Sequence, residues 1–222
     1  MKKLKVLTLA LCAGIVMTAC NNTAKGTAIG AGGGALLGAI VGKIAGNTAV
    51  GAAVGTAVGA GTGALIGRHM DKVKAQAEAV KNAQVETITD ANGLQGVKVT
   101  FDSGILFATN SSTLNAASQN TIKQIADVLK QNGDVDVAIF GHTDNTGTDA
   151  INDPLSLKRA QAVEKSLKSQ GVANIVRVEG QGSKNPVADN ATAEGKKQNR
   201  RVEVYMYASQ AMVQAAEAGT LQ

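Results

Sequence analysis

The sequence predicts an α+β protein in two unlike parts: a glycine-laddered helical hairpin, then a small mixed sheet with helices on one face in the order β-α-β-α-β-β. Three observations carry this. Fourteen of the 26 glycines of the 222-residue chain fall between Gly26 and Gly67, most of them on a four-residue period. From Arg68 onward the sequence turns charged, and apolar residues follow periods of two and of 3.6 in alternating segments. With no Trp, two Tyr and three Phe, any core must be built from Val, Ile, Leu, Met and Ala, and the length suffices for one ordinary domain plus extra segments.

The chain opens with "MKKLKVLTLALCAGIVMTAC": a lysine-rich start, an apolar run from Leu4 to Met17 and small residues before Cys20. That is the layout of a secretory signal, and the run is too short for a comfortable membrane span. "MTAC", with the less usual Met17 at its head, resembles the lipobox of bacterial lipoproteins. The resemblance implies that residues 1–19 are removed and that Cys20 receives lipid. Cys12 would leave with the signal, so an unlipidated Cys20 would be an exposed, unpaired thiol in an oxidising compartment. Each buried methylene adds about 0.8 kcal/mol and two acyl chains already anchor stably. In enteric lipoproteins an aspartate after the cysteine retains the protein at the inner membrane. Asn21 stands there, which implies by the same resemblance the outer membrane.

Residues 20–67 hold the two ladders. Glycine recurs at 26, 30, 34, 38, 42 and 46, then at 51, 55, 59, 63 and 67, with the register broken across Asn47-Thr48. A four-residue step drifts only about 40° per repeat on a helix, so each ladder makes one smooth seam. Glycine costs about 1 kcal/mol relative to alanine in a helix, so the pattern makes sense where backbones approach closely, as in small-xxx-small packing within a bilayer. Each ladder is close to the length of a membrane span, and Lys43 is the one charge between Gly26 and Gly67. The pattern resembles the glycine-zipper segments of bacterial outer-membrane lipoproteins. A helical hairpin turning at Asn47-Thr48 is expected, able to enter the membrane or to self-associate.

Residues 68–93 read as an amphipathic connector, with Met70, Val73, Ala77 and Val80 at helical spacing, followed by a hairpin strand turning at Asn92-Gly93. Ile122, Ile125, Ala126 and Leu129 mark a helix that stops near Gly133, and "VDVAIF" is a strand. Asp153-Pro154 is expected to start the next helix, Asp as N-cap and Pro at the first position. Ala160, Val163 and Leu167 form its buried stripe and Gly171 ends it. "IVRVEG" is a strand. A long polar loop runs from Gln181 to Asn199, and "RRVEVYMY" is the last strand, with Val202, Val204 and Met206 on one face. The tail, 208–222, reads as a weak helix at most.

The formal charge of +5 falls to +2 without Lys2, Lys3 and Lys5, and the aromatics are few, so nucleic acid is not an expected partner. His142, one of two histidines, opens "HTDNTG" with Asp144 and Asp149 close by. Metal binding or catalysis needs convergent partners, and His69 lies in another segment. No HExxH, GxSxG or CxxC occurs. His142 is therefore read as a loop-packing side chain, with no cofactor, metal or catalytic residue expected.

"TFDSGILFATNSSTL", "GHTDNTG", "NDPLSLKRAQAV" and "NPVADNATAEGKKQNRRVEV", spread over residues 94–207, together resemble the OmpA-like peptidoglycan-binding domain. The resemblance implies that Asp144 and Arg159 grip the diaminopimelate of the cell-wall stem peptide, whose free end carries an ammonium beside a carboxylate. A carboxylate and a guanidinium side by side complement that end. By the same resemblance Thr143, Asn152, Leu155, Asn110 and Arg200 line the pocket. Where the family often carries an aspartate two places before Asn110, this chain has Ala108, and Asp102 lies further upstream. A strand-loop-helix unit is expected to bring Asp144 and Arg159 to one exposed rim.

The architecture then reads as an OmpA-family outer-membrane lipoprotein: lipid at one end, peptidoglycan at the other, the domain facing the periplasm and no turnover. Two rivals stand beside it. One is a membrane oligomer or pore formed by the glycine hairpin, with the wall domain as its anchor. The other is a periplasmic metallohydrolase using His142, Asp144 and Asp149.

Overall fold

The computed structural model describes residues 60–89, 94–108 and 111–221. Cys20, the ladders up to Gly59 with their turn at Asn47-Thr48, the Asn92-Gly93 turn and Asn110 lie outside the described residues. In chain order the elements are α1 (Ala60–Glu78), β1 (Gln84–Thr89), β2 (Gln95–Asp102), α2 (Ser103–Leu106), α3 (Ala116–Gln131), β3 (Val135–Gly141), α4 (Asp149–Ser169), β4 (Ile175–Gly180), α5 (Ala193–Asn199), β5 (Arg201–Ala208) and α6 (Gln210–Glu217).

The five strands form one mixed sheet in the order β1-β2-β5-β3-β4. β1 and β2 pair antiparallel, as do β2 with β5 and β5 with β3, while β4 joins β3 in parallel through the α4 crossover. The period-two alternation decides the faces. Val97, Val99, Phe101, Val135, Val137, Ile139, Val202, Val204 and Met206 share one core with Met70 of α1, Ile122 and Leu129 of α3, and Val163 and Leu167 of α4. Ala138, Phe140 and Tyr205 point the other way and gather with Ile88 in a smaller cluster, where Phe140 and Tyr205 meet edge to face at 5.4 Å. The expected α+β class, mixed sheet and helix-covered face are all present.

Four local expectations change. The boundary expected at Gly67 is not a break: α1 runs through it, because Ile66, Met70, Val73 and Ala77 form one continuous stripe that is fully buried. α4 starts at Asp149 rather than after Asp153. Thr148 is its N-cap, and the Thr148 carbonyl accepts from the Ile151 and Asn152 amides at 3.0 and 2.9 Å. Pro154 therefore sits inside the helix. The carbonyl four residues back belongs to exposed Ala150, where water can replace the missing donor. The loop 181–199 contains α5, capped by the Thr192 hydroxyl on the Gly195 amide. The C-terminal segment forms α6, which buries Met212, Val213 and Ala216 in the main core.

Among the described residues no helix is long and apolar enough to cross a membrane.

Candidate functional site

The site grows from the end of β3. Gly141 closes the strand, and the ladder continues past it: the His142 amide donates to the Arg201 carbonyl and the Thr143 amide to the Gly182 carbonyl, both at 2.9 Å. This carries His142, Thr143 and Asp144 straight off the sheet edge as a held segment rather than as a free loop. Helix α4 lies almost against it. A Cβ on Gly141 would come within 2.0 Å of the Ser156 carbonyl oxygen, and one on Gly180 within 2.4 Å of the Leu157 amide nitrogen. Only glycine permits that approach. Ser156 seals the seam by donating to the Asp153 carbonyl and accepting from the Gly182 amide. Arg159, nearly one turn further along α4, is thereby set beside the end of β3.

Asp144 is only 6% exposed and Arg159 only 4%. The exposed rim expected for this pair is thus corrected: the continued ladder draws Asp144 inward, while the Ser111 segment and Phe107 cover Arg159. The Arg159 Nε donates to the Ser111 carbonyl at 3.1 Å, and the guanidinium lies 5.5 Å from the Phe107 ring centroid. Its two terminal nitrogens make no hydrogen bond among the described residues. Burial and the nearby Arg200 cation pull the Arg159 pKa below its ordinary value, and Asp144 opposes them.

Asp144 accepts from the Thr146 amide through Oδ1 at 2.8 Å and from Arg200 Nη1 through Oδ2 at 2.5 Å. Burial alone would raise its carboxyl, but Arg200 and the Thr146 amide outweigh it and hold the group below its ordinary value. Arg200 itself comes from the C-cap of α5, and its side chain is 40% exposed. The result is one carboxylate paired with a guanidinium at the surface, with a second, fixed guanidinium near enough to feel both charges. Such a cluster suits a ligand that carries a carboxylate and an ammonium together.

The other expected residues divide. Thr143 is buried beside Asp144, and its hydroxyl has no hydrogen-bond partner among the described residues. Asn152 is committed to the loop, donating to the Thr146 carbonyl at 3.1 Å. Leu155 is half-buried one turn before Arg159. Asp102 caps α2 on the Gly104 amide at 2.7 Å and does not join the cluster.

Below the site lies a buried ionic network that the sequence reading missed. Glu203 accepts from Arg201 Nε and from the Tyr205 hydroxyl, both at 2.7 Å, and its Oε2 lies 3.2 Å from His142 Nε2. Arg201 reaches on to the carbonyls of Asn199 and Asn185, the two ends of the segment that presents Arg200. Arg201 and Glu203 are two apart on a strand, hence on one face, which was the available signal. His142 is thus engaged with Glu203 and not with Asp144 and Asp149, and among the described residues no group of three His, Cys, Asp or Glu is placed to hold a metal ion. A second hub is Asn199, fully buried. Its Oδ1 accepts from the Val187 and Ala188 amides, and its Nδ2 donates to the Ala188 carbonyl and to Asn190. Asn190 in turn accepts from the Asn145 amide, which ties this segment to the Asp144 loop.

Comparison with known proteins bears on this geometry. Residues 106–200 match the OmpA family, and residues 1–71 match the YMGG-like Gly-zipper. The chain is 36% identical over 140 residues to the probable lipoprotein YiaD of Escherichia coli K12, covering 63% of each chain. It is 45% identical over 101 residues to the peptidoglycan-binding protein ArfA of Mycobacterium bovis, covering 45% of this chain and 31% of ArfA. A solved structure, the cell wall anchor of the T6SS from Pseudomonas aeruginosa, superposes with a TM-score of 0.51 at 30% identity, over 63% of this chain and 97% of that one. Among the curated relatives, which also include outer membrane porins and an outer-membrane lipoprotein, the chain spans from 31% to 66% of their length.

Proposed function

The chain belongs to the OmpA family through its domain at residues 106–200, and from that premise we propose that it is a non-catalytic outer-membrane lipoprotein that binds peptidoglycan non-covalently and so links the membrane to the wall. Lipid on Cys20 holds one end, and the domain faces the periplasm. At the other end Asp144 takes the ammonium and Arg159 the carboxylate of diaminopimelate in the stem peptide. The observation that carries the reading is the charge cluster itself: Arg159, anchored through Nε, keeps both terminal nitrogens for a two-pronged grip while Asp144 stands in the same site.

The test is titration of the full chain, in detergent, with a stem tripeptide ending in diaminopimelate. Asp144→Asn and Arg159→Gln should each weaken binding by roughly ten- to a hundred-fold, since charge-assisted bonds contribute about 1.5–3 kcal/mol. Wild-type affinity in both variants would sink the assignment. Mass spectrometry of the N-terminus tests the anchor, and an unmodified Cys20 would end that part.

The match of residues 1–71 to the glycine zipper supports a second reading, self-association of the hairpin, with the domain serving as its anchor to the wall. Crosslinking in membranes before and after Gly34→Leu and Gly38→Leu separates it from simple tethering, because side chains on the seam would hold the backbones apart.

A further inference from the structure

Both oxygens of Asp144 are occupied in the chain on its own: Oδ1 by the Thr146 amide and Oδ2 by Arg200 Nη1. The first partner is backbone and cannot leave. The second is a side chain 40% exposed, reaching over from the C-cap of α5. An incoming ammonium therefore meets a carboxylate that is already paired with the Arg200 cation, and competes with it for the same negative charge. The two arginines of the site are not equivalent, since Arg159 is pinned by the Ser111 carbonyl and the Phe107 face, while among the described residues the Arg200 side chain is held by Asp144 alone.

Resting on the reading that this site takes a diaminopimelate end, we propose that Arg200 is an internal competitor for Asp144 that makes recognition depend on a ligand carrying ammonium and carboxylate together. A lone ammonium would exchange one charge-assisted bond for another and leave the displaced guanidinium without a partner. A zwitterionic end takes Asp144 with its ammonium and supplies a carboxylate to which Arg200 can turn beside Arg159. Arg200 is then a specificity-determining residue. It penalises stem peptides that end in lysine, which keep the ammonium and lack that carboxylate.

The experiment titrates the full chain and its Arg200→Gln and Arg200→Lys variants with two stem tripeptides, one ending in diaminopimelate and one in lysine. The wild type should prefer the diaminopimelate form. In Arg200→Gln the lysine form should bind more tightly than it does to the wild type, so that the preference contracts by about ten-fold, one charge-assisted bond's equivalent. Arg200→Lys, which restores a cation able to compete for Asp144, should recover part of it. Loss of affinity for both peptides in equal proportion would make Arg200 an ordinary contact and overturn the proposal while leaving the site intact. Unchanged affinity for both would overturn it as well. Failure of the diaminopimelate peptide to bind the wild type would overturn the reading of the site and this inference together.

Discussion

Arg159 and His142 show how burial changes what a residue in this site does. An arginine that is 4% exposed, hydrogen-bonded to Ser111 and packed on Phe107, works for the fold, besides the ligand role proposed for it. Arg159→Lys should therefore cost stability, about 1–3 kcal/mol for the Ser111 carbonyl left without a donor, besides at least a ten-fold loss in stem-peptide binding. Urea denaturation alongside titration separates the two effects, and an unchanged midpoint would contradict the packed role. His142 carries a pH prediction. Burial lowers its pKa below the ordinary 6.5, more than Glu203 raises it, since Arg201 already answers Glu203 and Lys98 adds a further positive charge. A histidine held neutral when folded takes up its proton more readily when unfolded. Stability should thus fall as pH drops below about 6.5, at up to about 1.4 kcal/mol per unit for one proton. His142→Gln should flatten that segment of the stability-pH curve between about pH 7 and 5, and parallel curves would refute it. Residue types at motif spacing are legible in the sequence, so the candidate pair Asp144 and Arg159 can be named from it. The burial of Arg159 is not legible there, because the residues that cover it, Ser111 and Phe107, lie some fifty residues from it along the chain.

Between α4 and the strand ends the spacing is set by glycine. A methyl on Gly141 would overlap the Ser156 carbonyl at 2.0 Å, and a backbone on each side leaves nothing flexible to yield. Gly141→Ala should destabilise by about 1–3 kcal/mol and, by pushing Arg159 away from Asp144, weaken ligand binding too. Gly133→Ala is the control: nothing lies within 4 Å of its added carbon, so the change should be neutral or slightly stabilising. Equal effects in the two would show that helix proximity does not set the site. Asn199→Ala makes a different demand on the same scale. It leaves the Val187 and Ala188 amides without their side-chain acceptor, so the 185–199 segment should become protease-sensitive and about 1–3 kcal/mol should be lost. The long elements were readable because their stripes repeat several times. α5 was not, because seven residues are too few for a period and its cap, Thr192 to Gly195, looks like any polar loop. The start of α4 was misplaced for a related reason: Pro at the first helical position is the common case, and only the exposure of Ala150 makes the interior position tolerable.

On the scale of the whole molecule, the segments on either side of residues 94–207 are packed into its core. α1 contributes Ile66, Met70 and Val73, all fully buried, and α6 contributes Met212 at 1% exposure. Burying one such side chain is worth about 1.5–3 kcal/mol, so these four come to about 6–12 kcal/mol, comparable with the entire stability of an ordinary domain. Removing residues 60–93 also strips β1 from β2 and leaves that strand as an open edge. We therefore predict that the minimal cooperative unit runs from residue 60 to the C-terminus, and that residues 94–207 alone do not fold stably although they carry all the site residues named above. The comparison is urea denaturation followed by circular dichroism for the two fragments at equal concentration. A single sharp transition is expected for 60–222 and a shallow or absent one for 94–207. Matching midpoints would mean that α1 and α6 merely rest on a self-sufficient domain. The consequence reaches back to the ladders: with α1 integral to the fold, the last two glycines of the second ladder, Gly63 and Gly67, are held in the helix that is built into the OmpA-family domain. Whatever lies before Ala60 would then meet the domain at a helix packed into its core, whereas a flexible linker there would leave the two free to turn independently.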